Sequence, residues 1–134
     1  MNVGNLLSKA HWNTDERISL YIEADTEQII YKDLFMTAIG NIISNAQKFT
    51  PVVGTIDIYV RKDGIEIRDT GVGIGKDDIA HIFDRLYKVD KARTNSTGYG
   101  IGLSITKKII EDLHKMYLSV KSIEGKGTSF FIKF

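Results

Sequence analysis

The chain has 134 residues, of which 43% are hydrophobic and 26% charged, and its formal net charge is +1. These values predict one compact domain with one core, and the near-neutral charge excludes a nucleic-acid surface. The chain has no cysteine, so disulfides and thiolate metal sites are excluded, and its apolar runs are too short to span a membrane. We therefore expect a soluble domain in the cytoplasm.

The first half of the chain predicts one strand followed by one long helix. Residues 1–15 are polar and weakly patterned, and we expect them to be a remnant of an upstream dimerisation or linker region. Residues 16–134 then form the domain. Within it, residues 18–24 alternate like a strand, and apolar spacing predicts a helix from about residue 29 to 49, closed by Pro51.

The second half predicts two hairpins separated by helices. Residues 55–69 form two alternating runs around Asp63-Gly64, a strong hairpin signal. A short helix is expected over 76–83, a longer one over 101–114, and two strands around residues 124–127. This order predicts an α+β fold, a two-layer sandwich in which about three helices cover one face of a mixed, mostly antiparallel sheet of about five strands.

The long helix carries a polar stripe at the edge of its apolar face. With Asn41 at zero on a helical wheel, Asn45 lies at about 40° and Lys48 at about −20°, next to the apolar arc. Amide oxygens are suitable ligands for Mg²⁺ beside a phosphate, and an ammonium group supplies a point charge for the same phosphate. The alternative is a solvated stripe with no ligand.

A glycine-rich turn follows the second strand of the first hairpin. Asp69 ends that strand, and the glycines after it, Gly71 and Gly73, allow the backbone to pass close to a flat ligand. The carboxylate can accept a hydrogen bond from the exocyclic amine of adenine, whereas the carbonyl of guanine would repel it. An acidic turn without a ligand is the alternative.

A second glycine-rich segment, "GYGIGL" at residues 98–103, leads into a helix. Free backbone N–H groups at a helix start can bind phosphate oxygens. The polar segment before it, residues 84–97, suggests a mobile lid that brings cations over a triphosphate, although each cation could also be a solvated loop charge. These cations are Arg85, Lys88, Lys91 and Arg93. Thr128, in "GKGT", is either part of a hairpin turn or a pocket contact.

Together these motifs resemble the ATP-binding domain of sensor histidine kinases, within the superfamily that includes the HSP90 chaperone, gyrase B and MutL. The matching segments are 41–50 (the N box), 69–74 (the first glycine box), 82–88 (the F box) and 98–103 (the second glycine box). The resemblance covers the chain from about residue 18 to its end. It implies the Bergerat-type fold and makes residues 16–134 the ATP-binding catalytic domain.

The resemblance also implies a role for each matched residue. Asn45 would ligate Mg²⁺ with help from Asn41, Lys48 would contact phosphate, and Asp69 would bind the adenine amine. Phe49 stands where the family often has a tyrosine, and Lys88 where arginine is usual. The other residues placed around the nucleotide are Gly71, Gly73, Ile74, Arg85, Gly98, Tyr99, Gly100, Gly102, Leu103 and Thr128.

No histidine in the chain fits the family's phosphoacceptor pattern, so the resemblance implies a partner. The acceptor histidine would lie on a dimerisation domain of the same full-length kinase, with a response regulator downstream. The isolated domain would be monomeric, and it would be cytoplasmic, as part of the cytoplasmic portion of a membrane-anchored sensor. Three alternatives stay open: an ATP-driven clamp in which water attacks, a non-catalytic nucleotide-sensing scaffold, and an anti-sigma-type serine kinase.

Overall fold

A computed structural model describes residues 1–87 and 99–134, and only the backbone at 99–101. The strands are β1 (Ile18–Ile22), β2 (Ile56–Arg61), β3 (Gly64–Asp69), β4 (Tyr117–Ile123) and β5 (Gly127–Lys133). The helices are α1 (Val3–Ser8), α2 (Lys32–Phe49), α3 (Lys76–Ile79) and α4 (Tyr99–Lys107). A 3-10 helix (His11–Thr14) follows α1, and α4 continues as a π-helical segment (Lys108–Leu113). No helix in these ranges is long and apolar enough to cross a membrane.

The five strands form one mixed sheet in the order β1-β2-β3-β5-β4. The β1–β2 pair is parallel and the other three pairs are antiparallel. Buried and partly exposed side chains alternate regularly along β2. Ile56, Ile58 and Val60 are buried, and Asp57 and Tyr59 between them are only partly covered. This arrangement confirms the predicted α+β fold and the predicted hairpin, whose two-residue turn is Lys62-Asp63, one residue before the predicted Asp63-Gly64.

Helix α2 covers the centre of the inner face of the sheet. Its apolar arc is fully or almost fully buried, as the helical spacing predicted, and comprises Phe35, Ala38, Ile39, Ile42, Ile43 and Ala46. Burial of this arc in the shared core provides the main drive for docking the helix on the sheet. The polar stripe of α2 therefore lies at the boundary of the core.

Several predicted boundaries differ from those observed. Helix α2 begins at Lys32 rather than near Ile29, because Ile29 is 98% exposed and has no core to pack against. Strand β1 ends two residues earlier than predicted, and α4 begins two residues earlier, at Tyr99. The short helix ends at Ile79 rather than at residue 83. Ile82 is buried, but it lies in the turns that follow the helix.

Sequence reasoning missed the structure at the N-terminus. Val3 and Leu7 of α1 are fully buried, and Trp12 of the 3-10 helix is nearly so. The Asn2 side chain caps α1 by accepting the Asn5 N–H at 2.8 Å. These three apolar side chains belong to the same core as α2 and the sheet, so the N-terminal segment stabilises the domain.

We expect Leu7→Ala to lower the free energy of unfolding by about 2 to 5 kcal/mol, since it leaves a cavity in a packed core. The matched control is Leu34→Ala on α2, where the side chain is 43% exposed. Urea denaturation measures both variants. If both variants lose the same small amount of unfolding free energy, α1 does not pack on the domain in solution.

Candidate functional site

A narrow cavity lies between the C-terminal half of α2 and the ends of β3 and β5. Its walls are Asn45, Ala46, Phe49, Asp69, Gly73, Ile74, Thr128 and Phe130. Six of these were singled out from the sequence; Ala46 and Phe130 were not, because their apolar character marked them only as core. The cavity volume is about 10 Å³, room for roughly one water molecule, so a larger flat ligand requires the walls to separate.

Asp69 provides a buried carboxylate in this cavity. It is the last residue of β3, is 9% exposed, and accepts the Gly71 N–H at 2.8 Å. Burial raises the pKa of this carboxyl group, and the N–H groups of Gly71 and Thr128 oppose the rise only in part. No cation among the described residues pairs with it. Asp69 is therefore a strong acceptor for an N–H donor on a ligand.

The glycines after Asp69 are needed for close backbone packing. A Cβ at Gly71 would lie 2.5 Å from the Phe49 carbonyl oxygen, and the neighbouring Val72 N–H donates to that same oxygen at 3.2 Å. Gly73 has φ of +72°, and a Cβ there would lie 2.2 Å from the Ile123 carbonyl oxygen. Side chains at these positions would push the turn away from α2 and β4.

The three residues of the polar stripe have different surroundings. Asn45 is 6% exposed, and its Nδ2 has no partner among the described residues. The Asn41 Nδ2 donates to the Gly102 carbonyl at 3.1 Å and to the Thr106 Oγ1 at 3.2 Å, joining α2 to α4. Lys48 is exposed. A buried N–H group without a partner is costly, and the same amide carries an oxygen that can act as a ligand. Asn45 thus fits the role of an oxygen ligand for a hard cation.

Arg17, which the sequence analysis did not single out, holds the C-terminal end of α2. Its Nη1 donates to the carbonyls of Gln47 at 2.9 Å and Thr50 at 2.6 Å. Hydrogen bonds from Arg17 lower the pKa of Asp15, which also accepts the Gln47 Nε2 at 3.1 Å. Helix C-terminal carbonyls need partners, but no local spacing indicates a partner thirty residues away.

The other predicted site residues lie around α4 or beyond the described residues. Gly102 is next to Asn41, and Leu103 is fully buried in the core, so its side chain supports α4 and does not line the cavity. Arg85 does not line it either. Together with Ser104, Ile105 and Lys107 of α4 it borders a separate cavity of about 520 Å³.

The remaining predictions concern the start of α4 and the segment before it. Tyr99 and Gly100 form the first residues of α4, of which the structure describes the backbone only. Four predicted residues lie outside the described ranges: Lys88, Lys91, Arg93 and Gly98.

Comparison with known proteins defines the class of protein. Residues 31–134 match the family described as "Histidine kinase-, DNA gyrase B-, and HSP90-like ATPase". The chain belongs to this ATPase family. Within the family it is the ATP-binding catalytic domain of a histidine kinase, as the sequence boxes predicted.

Two relatives support this assignment. The sensor histidine kinase YclK of Bacillus subtilis (strain 168) is 40% identical over 129 residues, covering 89% of this chain and 26% of YclK. The sensor histidine kinase WalK of the same strain is 41% identical over 117 residues, covering 82% of this chain and 18% of WalK. The chain therefore spans about a quarter or less of the length of these curated relatives.

Two solved structures have the same fold. The mycobacterial sensor histidine kinase MprB superposes with a TM-score of 0.76 and 20% identity, covering 98% of this chain and 94% of that one. The catalytic domain of histidine kinase ThkA superposes with a TM-score of 0.74 and 22% identity, covering 100% of this chain and 92% of that one. These likenesses confirm the fold.

The raised pKa of Asp69 predicts a pH-dependent stability cost. Because the folded pKa lies above the ordinary value of 3.8, the folded state binds more protons between the two values, so the unfolding free energy falls as pH rises through this window. Asp69→Asn keeps an oxygen for the Gly71 N–H and removes the charge. We expect the stability of this variant relative to wild type to increase from about pH 4 to about pH 7.

Urea denaturation across this pH range measures the effect. Asp57→Asn, on the outer face of β2, controls for the loss of one carboxylate. A difference between Asp69→Asn and wild type that does not change with pH would contradict the buried, unpaired state of Asp69.

Proposed function

We propose that this domain binds Mg-ATP in the Asp69 cavity and presents the γ-phosphate to a histidine on a separate dimerisation domain of the same longer kinase. The observation that carries the proposal is a pair of polar groups on one cavity: the buried Asp69 carboxylate, which no cation among the described residues pairs with, and the Asn45 amide, whose Nδ2 has no partner among those residues. One is suited to the amine of a base and the other to a cation. Family membership supports the same reading.

The adenine ring enters between the first glycine box and α2. Asp69 accepts a hydrogen bond from the 6-amine, and Gly71 and Gly73 keep the backbone close enough to contact the ring. Phe49 provides an aromatic wall but lacks the hydroxyl of a tyrosine. Ile74 and Thr128 complete the opposite side of the cavity.

The phosphates extend from the adenine along the polar stripe of α2. Asn45 holds Mg²⁺ through its side-chain oxygen, Asn41 assists directly or through water, and Lys48 contacts a phosphate. The bound Mg²⁺ offsets negative charge on the phosphates. The start of α4 and the segment before it contribute further phosphate contacts through Arg85, Lys88, Gly98, Tyr99, Gly100 and Gly102, and Leu103 supports α4 from the core.

Phosphoryl transfer requires no nucleophile from this domain. A nitrogen of the partner histidine attacks the γ-phosphorus, the bond to the β–γ bridging oxygen breaks, and ADP leaves with those electrons. Hydrolysis by water would favour a basic carboxylate at the first position of the N box. Asn41 stands there, and an amide cannot take a proton from water.

The histidine kinase class supports a wider role in signalling for the longer protein. The phosphorylated histidine then supplies a response regulator, and the parent kinase is membrane-anchored with this domain on the cytoplasmic side. Because the dimer contacts belong to the histidine-bearing domain, the isolated catalytic domain is monomeric.

Calorimetry tests the nucleotide site. We expect a non-hydrolysable ATP analogue to bind more tightly than its GTP counterpart, and Asp69→Asn to weaken ATP-analogue binding by about 10- to 100-fold, the value of a charged hydrogen bond. Asn45→Ala should remove the Mg²⁺ dependence and retain the base preference, and Asp57→Asn is the matched control. Equal binding of both nucleotides, or none, would refute the assignment of the cavity.

A phosphotransfer assay tests the reaction. The domain is mixed with Mg-ATP and the histidine-bearing dimerisation domain of its parent kinase, and we expect an acid-labile phosphohistidine that Asn45→Ala prevents. A serine-bearing partner is assayed in parallel. Phosphoserine formation would favour an anti-sigma-type kinase, and nucleotide binding without any transfer would favour the scaffold alternative.

A further inference from the structure

Three polar side chains form a row across the inner face of the sheet. Asp69 of β3 is the register partner of Thr128 of β5, and Thr128 is the partner of Ser122 of β4. Register partners in neighbouring strands point to the same face. On the other side of Asp69 the row continues with apolar Ile56 of β2. The polar part of the row therefore ends at Ser122, which does not line the cavity itself.

The Ser122 hydroxyl has three close neighbours. The Ile74 N–H donates to its Oγ at 2.7 Å, the Gly127 carbonyl oxygen lies at 3.0 Å, and the Thr128 Oγ1 lies at 2.8 Å. Ile74 belongs to the first glycine box and Thr128 to the cavity wall. Ser122 thus contacts two parts of the nucleotide site at once.

One assignment of hydrogens satisfies all three contacts. A hydroxyl group has one hydrogen and two lone pairs. A carbonyl can only accept, so Ser122 gives its hydrogen to Gly127 and uses its lone pairs for the Ile74 N–H and the Thr128 O–H. The Thr128 hydroxyl therefore donates its only hydrogen to Ser122. The Thr128 oxygen can act towards the cavity only as an acceptor.

We propose that Ser122 is a specificity-determining positioning residue, which acts by fixing Thr128 as a second acceptor beside Asp69. The inference rests on the proposed nucleotide site. A purine with an amine at C6 meets two acceptors there, whereas a purine with a carbonyl at C6 is repelled by both. Without Ser122, the Thr128 hydroxyl can turn and donate to that carbonyl.

Titration with ATP and with inosine triphosphate tests this, since the two bases differ only at C6 and in the proton on the adjacent N1. We expect Ser122→Ala to lower the ratio of the inosine triphosphate Kd to the ATP Kd by about tenfold, the factor for one neutral hydrogen bond. Ser122→Thr retains the hydroxyl and should restore the ratio. Ser119→Ala is the matched control, because Ser119 lies on the same strand and pairs with Phe131 on the outer face.

A double-mutant cycle separates this role from a merely structural one. In a Thr128→Val background there is no hydroxyl to orient, so adding Ser122→Ala should leave the ratio unchanged. If Ser122→Ala does not fold, Ser122→Cys keeps a similar size with a weaker hydrogen bond, and the ratio should fall in the same direction.

The outcomes distinguish this inference from the proposed function. If the wild-type domain binds neither nucleotide, the proposed site falls and the inference falls with it. If wild type prefers ATP and Ser122→Ala keeps the same ratio, whether affinity for both nucleotides falls or not, the site stands and the role of Ser122 is overturned.

Discussion

The site depends on how α2 packs on the sheet. Its apolar arc must be buried for the domain to fold, and this carries the adjacent polar stripe to the edge of the core, where Asn45 is almost completely covered. An amide buried without a hydrogen bond costs about 1 to 3 kcal/mol. A short surface helix could rotate about its axis and expose such a residue to water. Helix α2 is 18 residues long and cannot rotate in this way without exposing its buried isoleucines. Packing thereby keeps one polar group dry and oriented.

Three side-chain contacts fix α2 along its length, and two of them involve residues outside the recognised sequence boxes. At the N-terminal end, the Tyr31 N–H donates to the His114 Nε2 at 3.0 Å, and the His114 Nδ1 lies 2.8 Å from the Ile109 carbonyl. A backbone N–H can only donate and a carbonyl can only accept, so the neutral ring carries its proton on Nδ1. Asn41 joins the middle of α2 to α4, and Arg17 joins its last turn to Asp15. The position of the polar stripe is thus set by one contact between two boxes, Asn41 to Gly102, and by His114 and Arg17, which belong to no box.

The sequence predicts those features that depend on residues close together in the chain. The hairpin between β2 and β3 and the buried arc of α2 depend on neighbours within a few residues, so local periodicity predicts them well. The N-terminal helix was missed because only Val3, Leu7 and Trp12 anchor it, too few for a period. Arg17 was missed because its function is defined by a helix end distant in sequence. The sequence motifs predicted that Asp69 and Asn45 belong to one site, and the structure places both in one cavity. Motifs carry information about residues distant in sequence, whereas periodicity does not.

The polar groups of the cavity lie where they disturb the sheet least. Asp69 is the last residue of β3 and Thr128 the second of β5, so the hydrogen-bonded ladders between the strands remain intact around them. In the cavity the cost falls on two groups, a carboxylate whose pKa burial raises and an amide whose Nδ2 has no partner in the part of the chain that the structure describes. Apolar replacements there would remove that cost, and with it the carboxylate acceptor and the amide oxygen to which the proposed function assigns the nucleotide and its cation. Under the proposed function, stability and nucleotide recognition are therefore opposed at these two positions, and the buried isoleucines around them supply the free energy that lets the fold tolerate both.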